Sequence, residues 1–144
     1  KKICDHSVVE YAKGDRLLPG NDISIFAVGN MVGTALKVAE MLKEKSICAE
    51  VINARFIKPL DERMLLESAA KTGTVATLED NSVKGGFGSS VLELLNNNGI
   101  NIKAKVFGFP DNPIIHGSRS ELYTKYGLNA AAVSHDIIKM LRQK

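Results

Sequence analysis

The chain has 144 residues, 44% of them hydrophobic and 24% charged, with a formal net charge of +3; that length suits one domain with a real core, and the composition is that of an ordinary globular protein. No apolar run approaches the length of a membrane span, and Lys1-Lys2 leads into a polar, acidic start rather than a secretory apolar core. There is no basic block, no Trp and only 6% aromatic residues, so neither nucleic acid nor a membrane is an expected partner.

Cys4 and Cys48 form no CxxC or metal-spaced set, and no His, Cys, Asp and Glu grouping has recognised metal spacing. Cys48 lies in an apolar stretch and is expected to be a buried free thiol in a reducing cytoplasm. The sequence lacks an initiating Met and begins mid-phrase, and it reads as a piece of a longer polypeptide.

Two readings stand for residues 1–22: an edge strand, or a linker wrapping from a preceding domain. From residue 23 to residue 144 the pattern is regular. "ISIFAVG", Ile23 to Gly29, is an apolar run between turn residues and reads as a buried strand. Val32, Ala35, Leu36, Ala39 and Leu42 then recur at helical spacing. "CAEVINARF" reads as a second strand, and Asp61 caps a helix that stops near Gly73. "TVATLED" is the third strand, "SSVLELLNNNG" a helix ending near Gly99, and "IKAKVFGF" the fourth strand. Ser118 and Glu121 have capping-box spacing for a short helix ended by Gly127. Asn129 caps a last helix with Val133, Ile137, Met140 and Leu141 on its apolar face. Strand–helix alternation with short connections predicts a three-layer α/β architecture: a mostly parallel mixed sheet of about five strands, with helices on both faces.

Three stretches are candidate sites. "LEDNSVKGGFGSS", Leu78 to Ser90, joins a strand's C-terminal end to a helix N-terminus, where open α/β sheets bind ligands and outward-pointing amides favour anions. Gly85, Gly86 and Gly88 would let backbone approach closely, and Ser89 could donate a hydrogen bond. However, "GGFG" is neither GxGxxG nor a P-loop, and Glu79 and Asp80 would repel a phosphate. A structural turn or domain contact built from Glu79, Asp80, Asn81, Gly85, Gly86, Gly88 and Ser89 is the favoured reading. In "FPDNPIIHGSR", His116 and Arg119 could contact an anion; the plainer reading makes Ser118 a helix cap and His116 a loop residue. In "NARFIKPLDE", Arg55 could pair with an acid of the glycine loop, or form an ordinary loop salt bridge. His6 and His135 are isolated, and His135 is expected to be solvated or half-buried. No residue qualifies as catalytic.

"VINARFIKPLDE", "LEDNSVKGGFGSSVLELL" and "GFPDNPIIHGSRSELYTKYGL" together resemble, in order and spacing, the C-terminal domain of 1-deoxy-D-xylulose-5-phosphate synthases. "KGDRLLPGNDISIFAVGNMV" is similar to that family's entry into its last domain, and the resemblance runs from about Tyr11 to Leu141. Departures from the family pattern are Asn53 before "ARF", Asp80 before Asn81, and Asn112-Pro113. The resemblance implies a transketolase C-terminal-like fold. It also implies a parent enzyme that joins pyruvate and D-glyceraldehyde 3-phosphate, releases carbon dioxide and forms 1-deoxy-D-xylulose 5-phosphate. That product feeds isoprenoid, thiamine and pyridoxal synthesis. Thiamine diphosphate and Mg2+ would be bound outside this segment, because the GDG…N cofactor motif is absent from it; "KGDR" is only an echo. This domain would then assist homodimer assembly and support the preceding domains of the same chain, and would be inactive alone. A small-anion regulatory module, or the equivalent domain of a transketolase or 2-oxo-acid dehydrogenase β-subunit, is the alternative.

Overall fold

The computed structural model of the protein describes residues 8–143. Cys4 and His6 lie outside the described residues. Among the described residues, five strands and five helices follow in the order β1 (Asp15–Leu18), β2 (Ile23–Ala27), α1 (Met31–Lys43), β3 (Ala49–Asn53), α2 (Glu62–Thr72), β4 (Thr74–Ser82), α3 (Phe87–Asn97), β5 (Lys103–Phe109), α4 (Arg119–Lys125) and α5 (Ala130–Arg142).

The sheet order is β1-β3-β2-β4-β5. Strands β3, β2, β4 and β5 are parallel, whereas β1 is an antiparallel edge strand, with Asp15 opposite Asn53 and Leu18 opposite Val51. Every residue of the central β2 is buried, which is why it is apolar on both faces except for Ser24, whose buried hydroxyl bonds Ser68 and Glu50. Its side chains still divide by parity. Ile23, Ile25 and Ala27 pack with α1 and α5 through Met31, Val38, Leu42, Val133 and Ile137. Phe26 packs on the opposite face with Leu65 of α2 and Phe87, Val91 and Leu95 of α3. The result is the expected three-layer α/β domain with a mostly parallel sheet.

Caps set the helix limits. Asp61 accepts from the Met64 N–H, and α2 stops at Gly73, whose φ of 65° is the left-handed conformation glycine adopts freely. Ser118 and Glu121 form a reciprocal capping box, and Asn129 caps α5 through the Ala132 N–H.

Two boundaries differ from expectation. Strand β4 continues past Asp80 to Ser82, and α3 begins at Phe87 instead of Ser89, so the glycine loop is shorter than its sequence suggests. Cys48 is exposed, not buried. It lies just before β3, where its carbonyl accepts from Asn21 and Asp22 and its N–H donates to Asp22 Oδ2 at 2.6 Å. Those bonds hold the backbone in a surface turn and leave the thiol outside the core.

Candidate functional site

Strand β4 delivers two acids to opposite faces of the sheet, because successive side chains of a strand alternate. Val75 and Thr77 face the layer that holds α3, and Glu79 follows them there; Leu78 faces the layer that holds α1, and Asp80 follows it.

Glu79 is buried, with 1% of its surface accessible. Its carboxylate accepts the Phe87 N–H at 2.8 Å and the Gly88 N–H at 2.9 Å. These are free donors of the first turn of α3, and the positive end of the helix dipole lies there. A carboxylate on two such amides makes charge-assisted bonds stronger than neutral ones. The anion that the loop geometry invites is therefore supplied by the chain itself.

The glycines exist for this seat. A Cβ on Gly86 would collide with Glu79 Oε2 and the Ser82 carbonyl. One on Gly88 would press into Val106 and come within 2.6 Å of Thr77 Oγ1. Gly85 turns the chain with φ 69°, and its N–H donates to Ser89 Oγ at 3.1 Å. Ser89 Oγ in turn donates to the Val83 carbonyl at 2.7 Å. The loop's polar groups thus look inward, apart from the exposed Asn81 and Lys84.

Asp80 closes the neighbouring crevice. The chain leaves β2 toward α1 on one face and leaves β4 toward α3 on the other, which is the kind of divergence where doubly wound sheets bind ligands. Here Asn30, at the N-cap position of α1, donates to Asp80 Oδ2 at 3.0 Å across that gap. Arg119 Nε lies 4.0 Å from the same oxygen. The Tyr123 hydroxyl is buried on the same side without a hydrogen-bond partner. Burial first, and then the nearby Asp80, pushes its phenol up to about 12.

Arg55 does not reach the glycine loop. Its guanidinium lies 2.7 Å from Asp15 Oδ2 on β1, because β3 stands between β1 and β2 and so turns Arg55 toward the edge strand. His116 is exposed, as are all residues from 111 to 120. Ser118 caps α4 by accepting the Glu121 N–H, and its own hydroxyl and N–H donate to the Glu121 carboxylate and hold it below the usual carboxylate range. Arg55, His116 and Arg119 are thus spread along the edge rather than gathered on one point. His135 is exposed on α5.

A second buried carboxylate lies at the other end of the strands. Glu50 of β3 is fully buried and receives Lys71 Nζ at 2.8 Å, Arg16 Nε at 2.6 Å and the Ser68 hydroxyl. Burial alone raises its pKa, but the Lys71 and Ser68 hydrogen bonds and the charges of Lys71 and Arg16 outweigh it, and the group is held below the usual range. This cluster joins β1, β3 and α2; sequence inspection misses it, because Glu50 sits at a core parity position without any motif around it.

The side chains do not suit a magnesium diphosphate. No three His, Cys, Asp or Glu residues converge to hold a metal among the described residues. The α3 N-terminus is taken by Glu79, and Asp80 is engaged by Asn30. No helix of the described chain is long and apolar enough to cross a membrane.

Comparison with known proteins agrees with this scaffold. The chain is 41% identical, over 89% of its length, to the 1-deoxy-D-xylulose-5-phosphate synthase of Heliobacterium modesticaldum, of which it covers 20%. It is 47% identical, over 84% of its length, to the enzyme of that name from Desulforudis audaxviator, of which it covers 19%. It therefore spans about a fifth of the length of these relatives. A solved structure described as a split-gene transketolase, an inactive β4 tetramer, superposes with a TM-score of 0.87 and 36% identity over 98% of this chain and 46% of its own. Residues 12–133 match the family model of the transketolase C-terminal domain, and the chain belongs to that family.

Proposed function

We propose that this chain is the C-terminal domain of a thiamine diphosphate-dependent 1-deoxy-D-xylulose-5-phosphate synthase, a transferase that condenses pyruvate with D-glyceraldehyde 3-phosphate. Its own role is to assist assembly of a homodimer and to support the domains that hold cofactor and substrate. The cofactor and Mg2+ belong to those preceding domains, and the enzyme works in the cytoplasm. The curated relatives near 40% identity support the choice of parent.

The observation that carries the supporting role is the Glu79 carboxylate seated on the Phe87 and Gly88 amides. It fills the position a ligand anion would take, and it leaves the loop from Glu79 to Ser89 as a packed turn suited to a domain or subunit contact. The 36% identity to a split-gene transketolase favours the transketolase equivalent as the second reading.

The test is an assay of two proteins, the full-length product of the encoding gene and the 144-residue chain. With pyruvate, glyceraldehyde 3-phosphate, thiamine diphosphate and magnesium, the full-length protein forms 1-deoxy-D-xylulose 5-phosphate and the short chain forms none. Turnover by the short chain would sink the supporting role. A full-length protein that transfers two-carbon units between sugar phosphates instead would establish the transketolase reading.

A further inference from the structure

Apolar side chains are exposed at two loops on one edge of the sheet. Because β3 and β5 are both parallel to β2 and β4, the loop after β3 and the loop after β5 emerge at the same edge. The first exposes Ile57 (38%), and the second exposes Ile114 (37%) and Ile115 (50%). Three strand spacings separate them, about 14 Å. Between them lie the β2–α1 turn and the glycine loop, whose anion and crevice positions are already filled by Glu79 and Asp80. With those two acids already partnered, the exposed isoleucines give this edge the character of a contact surface.

The course of the entering chain identifies the occupant. Strand β1 runs antiparallel to β3, so Asp15 lies at the C-terminal end of β3 and the residues before it lie at this same edge. Gly14 N–H donates to Asp61 Oδ2 at 3.1 Å, and the Tyr11 ring stands edge-on to Phe56 with centroids 5.7 Å apart, next to Ile57. Val8 and Tyr11 are themselves 94% and 72% exposed. The relatives extend some five times the length of this chain. On the reading of the chain as the last domain of such an enzyme, the preceding polypeptide would enter at the edge that carries the isoleucines.

We infer that this edge, through Ile57, Ile114 and Ile115, docks on the domain that precedes it in the same polypeptide. The inference rests on the reading of the chain as the last domain of a longer enzyme. The partner surface is apolar at its centre, and the Tyr11–Phe56 contact anchors the connection beside it.

The experiment uses the full-length protein. Hydrogen exchange of amides 56–58 and 114–117 should be slow, although these loops are exposed in the domain itself. The I114D/I115D double variant should speed their exchange and raise the rate of tryptic cleavage after Lys13 by about tenfold, because opening of the interface frees the connection. L92D, the same change at an exposed position on α3, should alter neither. Fast exchange of both loops in the wild type, or equal effects of the two variants, would overturn the inference. Concentration-dependent protection confined to conditions of self-association would assign the edge to a second copy and overturn it as well. Synthase turnover of the wild-type protein is read in parallel, so failure of the parental assignment is seen separately from failure of the docking surface.

Discussion

Glu79 and Phe87 are joined by a 2.8 Å hydrogen bond from the first residue of α3 to a carboxylate on β4, with both residues buried. Gly88 adds a second bond at 2.9 Å. Removing the carboxylate leaves two buried N–H groups without partners. Glu79→Ala is expected to destabilise the fold by about 3 kcal/mol, and Glu79→Gln by less, since one amide oxygen still accepts while its NH2 faces donors. Denaturant melts of the three proteins check the order. Added formate or acetate should restore part of the stability of Glu79→Ala only.

The glycines of the loop answer to the same seat. Gly86→Ala drives a methyl into Glu79 and the Ser82 carbonyl, and Gly88→Ala drives one into Val106. Each should cost about 1–3 kcal/mol as an overpacked core does. Gly33, in the first turn of α1, has open space where a methyl would stand, with nothing within 4 Å, so Gly33→Ala should stabilise by a few tenths to about 1 kcal/mol through helix propensity. Opposite signs in thermal melts would distinguish a packing demand from a general glycine effect.

Glu50 sets part of the acid limb. Its pKa is lower folded than the ordinary value near 4.5, so the folded state binds its proton less readily than the unfolded chain does. Its contribution is complete above the unfolded value and is lost as pH falls through the folded one. Stability against pH should therefore fall more steeply below about pH 4.5 in the wild type than in Glu50→Gln. Parallel acid limbs would refute the coupling of Glu50 to Lys71 and Arg16.

Much of the architecture is legible from parity and punctuation. Asp61, Ser118 and Asn129 act as the caps their spacing suggests, and the apolar run of β2 marks a strand buried on both faces. The role of Glu79 is harder to see, although the signal is present. Val75, Thr77 and Glu79 share one parity, and extending the strand through Glu79 puts its carboxylate under α3. In sequence the glycine loop suggests a ligand cradle, and the two adjacent acids before it look like a pair that repels anions. Alternation separates them: Glu79 serves α3, and Asp80 serves Asn30 and Arg119 on the other face. Asn30 and Tyr123 have no motif around them, and only the tertiary fold brings them to Asp80. The exposure of Cys48 escapes the sequence because an apolar neighbourhood does not reveal a backbone turn fixed by Asp22.

Tyr123 reports on that second cluster. Burial is the largest cause of its raised phenol pKa, followed by Asp80, so Asp80→Asn should bring it down from about 12 without reaching 10. A raised pKa in the folded state means stability that is present below the unfolded value near 10 and lost as pH rises through the folded one. The alkaline limb of Asp80→Asn should thus begin at the same pH, near 10, as that of the wild type but lose less stability, because its folded-state value lies closer to the unfolded one. With three tyrosines in the chain, ring-carbon NMR shifts followed against pH resolve the one concerned.

The α3 N-terminus carries its own anion and is on that account closed to another. Titration of the 144-residue chain with inorganic phosphate, followed by the amide NMR signals of Phe87 and Gly88, tests this most directly, with thiamine diphosphate as a second probe. No saturable shift is expected at either amide, and none at His116 or Arg119. Saturable shifts at Phe87 and Gly88 in the wild-type chain, with Glu79 displaced, would contradict it.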